Sequence, residues 1–463
     1  MPTIESLLCR NENLSLIAPA GYGKTEEIVK AVSVSEGKQL ILTHTNAGVA
    51  SLKSRLQKYK VQKSKYSIDT IASWLLKYSA SYPQMSGLTE IHPTQDGWNL
   101  VYSSAKNLFQ YRFIKEVLQK TYSGVFIDEY QDCTKAQHNL IVNLANFLPV
   151  KVLGDPLQGI FGFRNDPLIN WDEDVTPIFK PLPELVEPWR WKNTNVKLGN
   201  WLIELRKFLL DNQKIDLSSY KEIDWFEHSI ENEIDACYKS FKKIGSVVGI
   251  HMWPRDAHDS ARRIGGLLQS MEEMECRALM EWSNNFDSNS GISLAINLID
   301  FIFMCMVQED FYNEIKKTIS RNKINDLLLI NDHEIGFAFF RIVENNDLSS
   351  IITILEKILH EKGHKIFRRE LMIEMKRAIQ AYTIENYDSI LDAAWNIRSR
   401  TRSIGRKAPQ KTISRTLLIK GLEFDHSIIL NANQLQNKQH FYVASTRGSQ
   451  SLTVLSRDPI IQF

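Results

Sequence analysis

Leu14-Ser15-Leu16-Ile17-Ala18-Pro19-Ala20-Gly21-Tyr22-Gly23-Lys24-Thr25 is the stretch that decides the fold. Its apolar start reads as a buried strand, its glycines as a loop, and the residues after Lys24 as a helix. Glycines let backbone N–H groups turn inward and cradle oxyanions. The Lys24 ammonium reaches β- and γ-phosphates, and the Thr25 hydroxyl ligates Mg²⁺. A helix starting there adds the positive end of its dipole. Ala18 stands where the GxxxxGK[ST] pattern has its first Gly, so the match alone is incomplete. The plain alternative is a Gly-rich turn before an ordinary helix. Strand before and helix after favour nucleotide binding.

Strand-like and helix-like segments alternate outward from this loop. Gln39 to Thr43 reads as a strand and Asn46 to Tyr59 as a helix. Gly124 to Asp128 and Val150 to Gly154 are continuous apolar runs of the kind buried in parallel sheets. Together they predict one α/β sheet with helices on both faces. Lys65 to Tyr122 reads as a helical insertion. A second α/β unit is expected from near Leu185, with Val247 to His251 and Ser427 to Leu430 as strands and Gln439 to Thr446 as a helix. Gln269 to Arg402, mostly helical in pattern, reads as a second insertion.

Size and composition narrow the class. The 463 residues suit two to four domains, and 43% hydrophobic content supplies substantial cores. With 56 Lys+Arg against 54 Asp+Glu there is no global basic signature, so any nucleic-acid contact is local. The five cysteines are scattered and form no CxxC pair, which predicts reduced thiols in the cytoplasm, with neither a disulfide framework nor a zinc site. No signal-peptide pattern opens the chain. The most apolar run, Gly291 to Val307, is short for a membrane span and interrupted by Ser293, Asn297 and Asp300. It predicts a core helix and no membrane partner.

Phe126-Ile127-Asp128-Glu129-Tyr130-Gln131-Asp132 is the second chemical signal. A strand ending in Asp-Glu offers one carboxylate to Mg²⁺ and a second to polarise water for in-line attack on a γ-phosphate.

From this point the chain resembles superfamily 1 helicases of the UvrD/Rep/PcrA type. Seven blocks follow the family's order: Ala18 to Thr25; Thr43-His44-Thr45-Asn46-Ala47 with Arg55; Asp128-Glu129-Tyr130-Gln131-Asp132; Gly154-Asp155-Pro156-Leu157-Gln158-Gly159-Ile160-Phe161-Gly162-Phe163-Arg164; Glu187-Pro188-Trp189-Arg190-Trp191; Lys420-Gly421-Leu422-Glu423-Phe424-Asp425; and Tyr442-Val443-Ala444-Ser445-Thr446-Arg447. The resemblance implies an α/β fold of two RecA-like P-loop domains with parallel sheets, each carrying a mainly helical insertion. The implied segments are 1–64, 123–183 for the first domain, 184–268 and 403–463 for the second, with insertions over 65–122 and 269–402.

It also implies ATP and Mg²⁺ as cofactors and a role for each block. Lys24, Glu129, Gln158, Arg190 and Arg447 would be catalytic, the two arginines acting across a cleft between the domains as arginine fingers do. Ala20, Gly21, Tyr22, Gly23, Lys24, Thr25, Glu26, Trp189 and Glu423 would bind nucleotide; Thr25 and Asp128 would hold the metal. His44, Thr45, Asn46, Phe161, Phe163 and Arg164 would meet DNA, the phenylalanines by base stacking. The implied activity is ATP-driven 3′ to 5′ translocation on single-stranded DNA. Two alternatives stand beside it. One is a DNA-end or nucleotide sensor like the UvrD-like subunit of Gabija antiviral systems, paired with an OLD-family, TOPRIM-containing nuclease. The other is a DNA-repair helicase acting alone. A nuclease domain within the chain is not expected, since little follows Arg447.

The chain departs from the family at several places. His44 stands where the family usually has Phe. No Gln precedes Gln39, so the adenine-reading Gln is missing. Trp189 replaces a base-stacking Tyr, Leu417 replaces a His before the Lys420 block, and Thr70-Ile71-Ala72-Ser73 keeps only part of a DNA-contact block. The insertions are also short, which favours translocation over processive unwinding.

Overall fold

The computed structural model describes residues 3–88, 97–161, 166–273, 275–385, 387–404 and 409–463. The chain divides into two compact units. The first takes Met1–Gln213, Asn437–Gln450 and Phe463; the second takes Lys214–Gln436 and Ser451–Gln462.

The first unit is built on strands β1 (Leu14–Ile17), β2 (Gln39–Thr43), β3 (Tyr66–Thr70), β4 (Gly124–Ile127), β5 (Val150–Gly154) and β6 (Lys180–Pro181). They form one sheet in the order β3-β2-β4-β5-β1-β6, with every registered pair parallel. Alternation along the strands separates two cores. Leu40, Leu42, Val125, Ile127, Val150 and Val152 face helices Ile71–Ser81, Trp98–Leu108, Arg112–Thr121 and Lys135–Ala145. Leu16, Ile41, Phe126 and Leu153 face helices Lys24–Val34 and Asn46–Lys58. Both faces are covered, which is why these strands read as unbroken apolar runs.

Tyr66–Thr70 lies in this sheet as its edge strand, not in an insertion. Its alternation of apolar and polar residues, half-buried from Tyr66 to Asp69, is that of an edge. The helices that follow share the core of the same sheet, so Lys65 to Tyr122 is not a separately packed body.

The second unit contains β7 (Ile215–Asp216), β8 (Asp224–Glu227), β9 (Val247–His251), β10 (Gln269–Ser270), β11 (Lys411–Arg415), β12 (Phe424–Ile429) and β14 (Ile460–Ile461); β13 (Gly448–Ser456) runs into it from the first. The second sheet has the order β10-β11-β9-β12-β13-β8, and the registered pairs are parallel. A small antiparallel pair joins β7 and β14.

Between the neighbouring strands β10 and β11 the chain makes a helical body of its own. Its core includes Leu279, Phe286, Leu298, Phe301, Phe339, Ile354 and Met375. Helix Gly291–Cys305, the apolar run noted above, is buried there on Leu294, Leu298, Phe301 and Ile302. No helix among the described residues is long and apolar enough to cross a membrane.

Candidate nucleotide site

β1 ends at the loop Ala18–Gly23, and helix Lys24–Val34 begins directly after it. Gly21 and Gly23 have φ of +76° and +86°, a left-handed backbone that costs glycine nothing. Packing imposes a second demand. A Cβ on Gly21 would lie 2.7 Å from the Trp191 ring, and one on Gly23 would lie 3.2 Å from Trp189. Trp191 is fully buried and donates its indole N–H to the Gly448 carbonyl at 2.9 Å. Sequence reasoning did not single out Trp191. The loop's conformation rests on it.

Lys24 is buried and pairs with Glu129 at 2.7 Å and Asp128 at 3.5 Å. Burial alone disfavours its charge, but the two carboxylates more than restore it, so its pKa lies above the ordinary lysine value. Asp128 moves the other way. Desolvation and the Glu129 charge raise it against the pull of Lys24. Thr25 Oγ1 donates to Asp128 Oδ2 at 3.4 Å. Two converging hard oxygens on a phosphate loop suit Mg²⁺, which takes one or two protein ligands and completes its shell with phosphate and water.

Glu129 is non-glycine with φ of +57°. Such a backbone costs about 1–3 kcal/mol and is held only where its surroundings insist. Here the Glu129 N–H donates to Asp128 Oδ1 at 3.0 Å, and Gln131 Nε2 donates to Glu129 Oε2 at 2.6 Å. Tyr130 anchors the block from below, buried against His138, Trp171 and Phe179.

Gln158, Arg190 and Arg447 all fall in this same first unit, with the phosphate loop. The expectation that the two arginines belong to the second α/β unit is thereby corrected. Segments 184–213 and 437–450 are joined to each other by Trp191 to Gly448 and by Asn195 Nδ2 to the Gln450 carbonyl at 2.8 Å, and Arg206 ties them to Asp155 after β5 at 2.6 Å. Arg447 is buried, and its guanidinium donates to the Val443 carbonyl at 2.8 Å and to Gln158 Oε1 at 3.4 Å. Arg190 donates to the Thr446 carbonyl at 2.6 Å, and its backbone N–H to the Gly21 carbonyl at 3.0 Å.

The remaining residues are placed less centrally. Ala20 and Tyr22 are buried in the loop. Glu26 turns to helix Asn46–Lys58, meeting Arg55 at 3.4 Å and the Tyr59 hydroxyl. Trp189 is half-exposed, with the Lys192 ammonium 4.1 Å from its ring centroid. Glu423 is an exposed residue of the second unit. His44 Nε2 lies 3.5 Å from the buried Cys133 thiol; Thr45 caps helix Asn46–Lys58 by accepting from the Gly48 N–H at 3.0 Å; Asn46 is exposed. Thr70 is likewise a helix cap, accepting from Ser73 at 3.1 Å. Phe161 is half-buried, while Phe163 and Arg164 lie outside the described residues.

The acidic block and the Gly154 loop carry a family match. Residues 77–171 fit the UvrD/REP helicase N-terminal domain. The match is to that domain over this segment alone. The family segment spans β4 and β5 with Asp128, Glu129 and Gln158; the phosphate loop precedes it.

Two curated relatives are similar over short stretches. The Gabija protein GajB of Bacillus cereus is 36% identical over 75 residues, 14% of this chain and 15% of the relative. An ATP-dependent helicase/nuclease protein of Oenococcus oeni is 31% identical over 67 residues, 14% of this chain and 6% of the relative. The chain thus spans under one-sixth of either relative's length in these matches. Among solved structures, Bacteroides Pif1 helicase in complex with ADP-AlF3 and ssDNA is 14% identical, covering 55% of this chain and 54% of that one, with a TM-score of 0.30. Arterivirus nonstructural protein 10 (helicase) with DNA is 13% identical over 54% of this chain and 49% of that one, at 0.29. Likeness at that level carries no argument for this chain.

Proposed function

We propose that the chain is an ATP-dependent single-stranded DNA translocase or helicase of the UvrD type, moving 3′ to 5′. The observation that carries this reading is one cluster: buried Lys24 and Asp128, with half-buried Glu129 on Lys24 and half-buried Thr25 on Asp128, and with Gln158 and Arg447 joined to each other beside the strand that follows. Lys24 and the loop amides bind the phosphates. Thr25 and Asp128 would hold Mg²⁺, which when bound offsets phosphate charge. Glu129, its carboxylate aimed by Gln131, accepts a proton from the attacking water. Gln158 orients at the γ-phosphate, and Arg190 and Arg447 stabilise the charge that develops there. Trp189 offers a stacking face to a base, and Glu423 a contact to the sugar. His44, Thr45, Asn46, Phe161, Phe163 and Arg164 form the DNA contacts, and the second sheet belongs to the second RecA-like half.

ATP and GTP hydrolysis, with and without single-stranded DNA, tests the proposal on wild type, Lys24→Ala and Glu129→Gln. Stimulation by DNA in wild type and loss in both variants is expected. Hydrolysis indifferent to DNA, or surviving both substitutions, removes the reading. Duplexes with 3′ or 5′ tails decide polarity. The similarity to GajB supports a second reading, a nucleotide-sensing subunit that regulates a partner nuclease. Co-purification with an OLD-family nuclease from the native operon would favour it, and unaided unwinding by a lone monomer would exclude it.

A further inference from the structure

Asp155 has no exposed surface, and Arg206, on helix Val196–Leu210, is 8% exposed. Their ion pair is 2.6 Å long. The Asp155 carboxylate is the hub of the γ-phosphate machinery proposed above. Its Oδ1 accepts from Arg206 and from the Leu157 N–H at 3.2 Å, and its Oδ2 accepts from Gln158 Nε2 at 2.9 Å. The other end of the Gln158 amide, Oε1, accepts from Arg447. The amide is therefore aimed from both sides, and one of the two holds depends on Asp155.

Arg206 reaches further. Its guanidinium carbon lies 5.7 Å from the ring of Tyr442, five residues before Arg447. Tyr22 of the phosphate loop is buried close enough to feel both charges; burial pushes its hydroxyl up to about 12, Asp155 adding to the rise and Arg206 opposing it. One buried ion pair thus holds the Gln158 amide, lies beside the helix that leads to Arg447, and acts electrostatically on the phosphate loop.

We propose that Arg206 is a positioning residue for Gln158. By holding Asp155 Oδ1, its guanidinium fixes the orientation of the carboxylate whose Oδ2 retains the Gln158 amide, and so how readily Gln158 turns to a γ-phosphate. A partner of different reach or shape lets the carboxylate rotate, and that misdirects Nε2. The inference rests on the nucleotide-site reading. The competing view is a core ion pair that only holds the fold.

The test is single-strand-stimulated ATP hydrolysis by Arg206→Lys, alone and combined with Gln158→Ala. Lys keeps the charge but loses the planar fork. Alone it should lower kcat about tenfold, what the alignment of one hydrogen bond is worth, with KM for ATP within about twofold. In the Gln158→Ala background it should change nothing further, because the group it aims is gone. An equal tenfold loss in that background, or no change in kcat alone, overturns the proposal. Should Arg206→Lys fold poorly, Asp155→Asn/Arg206→Met removes both charges and keeps an acceptor for Gln158. Its kcat must show the same dependence on Gln158 or the proposal fails. A wild-type chain that hydrolyses nothing, or a fully active Glu129→Gln, sinks the nucleotide-site reading instead, so the two failures are distinct.

Discussion

Buried charge is used in opposite ways in the two units. In the first, Asp128 is pushed above the ordinary carboxylate range by burial beside Glu129, and Glu129 sits on a left-handed backbone. In the second, Glu272 lies deep under the helical body, yet hydrogen bonds from Arg368 hold its carboxyl below the usual range despite desolvation. Arg368 donates two bonds in parallel, at 2.8 and 2.7 Å. Arg398 closes on Glu374 at 3.0 Å and on Glu370 at 3.4 Å. A cluster whose acid is left poised, on strained backbone, is arranged to exchange partners. A cluster closed by two parallel bonds from Arg368 and by Arg398 on two glutamates is arranged to stay shut. The first pattern marks chemistry and the second marks architecture.

Substitution separates the two. Glu129→Gln removes the proposed base and the nearer of the two negative partners of Lys24. Turnover should fall about 10²–10⁴-fold, with nucleotide affinity unchanged or tighter, since phosphate no longer competes with Glu129 for the ammonium. Fluorescent-nucleotide titration and steady-state hydrolysis read the two effects. A variant that loses stability and keeps turnover would make the first cluster as architectural as the second.

Arg368→Met should do the reverse. It strands Glu272 in the interior and should cost about 3–5 kcal/mol of stability, read by urea denaturation, with hydrolysis per folded molecule within about twofold of wild type. Replacing both partners with apolar residues should recover most of the loss. Lost hydrolysis with an unchanged midpoint would break the comparison.

These two clusters were not equally legible in the sequence. Lys24, Thr25, Asp128 and Glu129 announce themselves because phosphate chemistry demands residue types at fixed spacing after a strand, and the strands β1, β2, β4 and β5 read as apolar runs. Glu272, Arg368 and Arg398 have no such spacing. They meet only because the helical body folds back between β10 and β11. Arg206 and Trp191 escaped for the same reason, since their partners Asp155 and Gly448 are distant in sequence. β3 was hidden by its short, half-polar edge pattern, which a helical neighbourhood outweighed. The unit boundary was missed because motif order assigns Arg190 and Arg447 by chain position, whereas packing assigns them by what Trp191 and Asn195 touch.

Acid should expose the difference with no substitution. His258, hydrogen-bonded to Ser270 Oγ at 2.9 Å, is lowered by burial to about 4. The unfolded chain takes up that proton near 6.5 and the folded chain does not. Its contribution to stability is therefore complete above 6.5 and fades toward about 4, a change of up to about 3 kcal/mol. Glu272, depressed in the fold, adds stability above its ordinary value that is lost as pH falls through the folded one. Asp128 has the opposite sign: raised in the fold, its ionisation costs stability, and acid relieves that cost. Hydrogen exchange should show the second unit loosening first between pH 6.5 and 4.5. His258→Gln should flatten the upper part of that profile, and a first unit that opens before the second would reverse the assignment.

The smallest effect concerns Thr45, which the proposed function places among the DNA contacts and which caps its helix. Removing the cap with Thr45→Ala should cost about 1 kcal/mol. That loss alone says nothing about DNA, because a frayed helix end would move any contact it carries. Thr45→Asp separates the roles. Aspartate caps as well as threonine or better, so the thermal midpoint should hold. A carboxylate placed against a phosphate backbone repels it, so affinity for single-stranded oligonucleotide should drop several-fold, most visibly at low salt. Unchanged affinity with an unchanged midpoint would leave Thr45 a cap and nothing more.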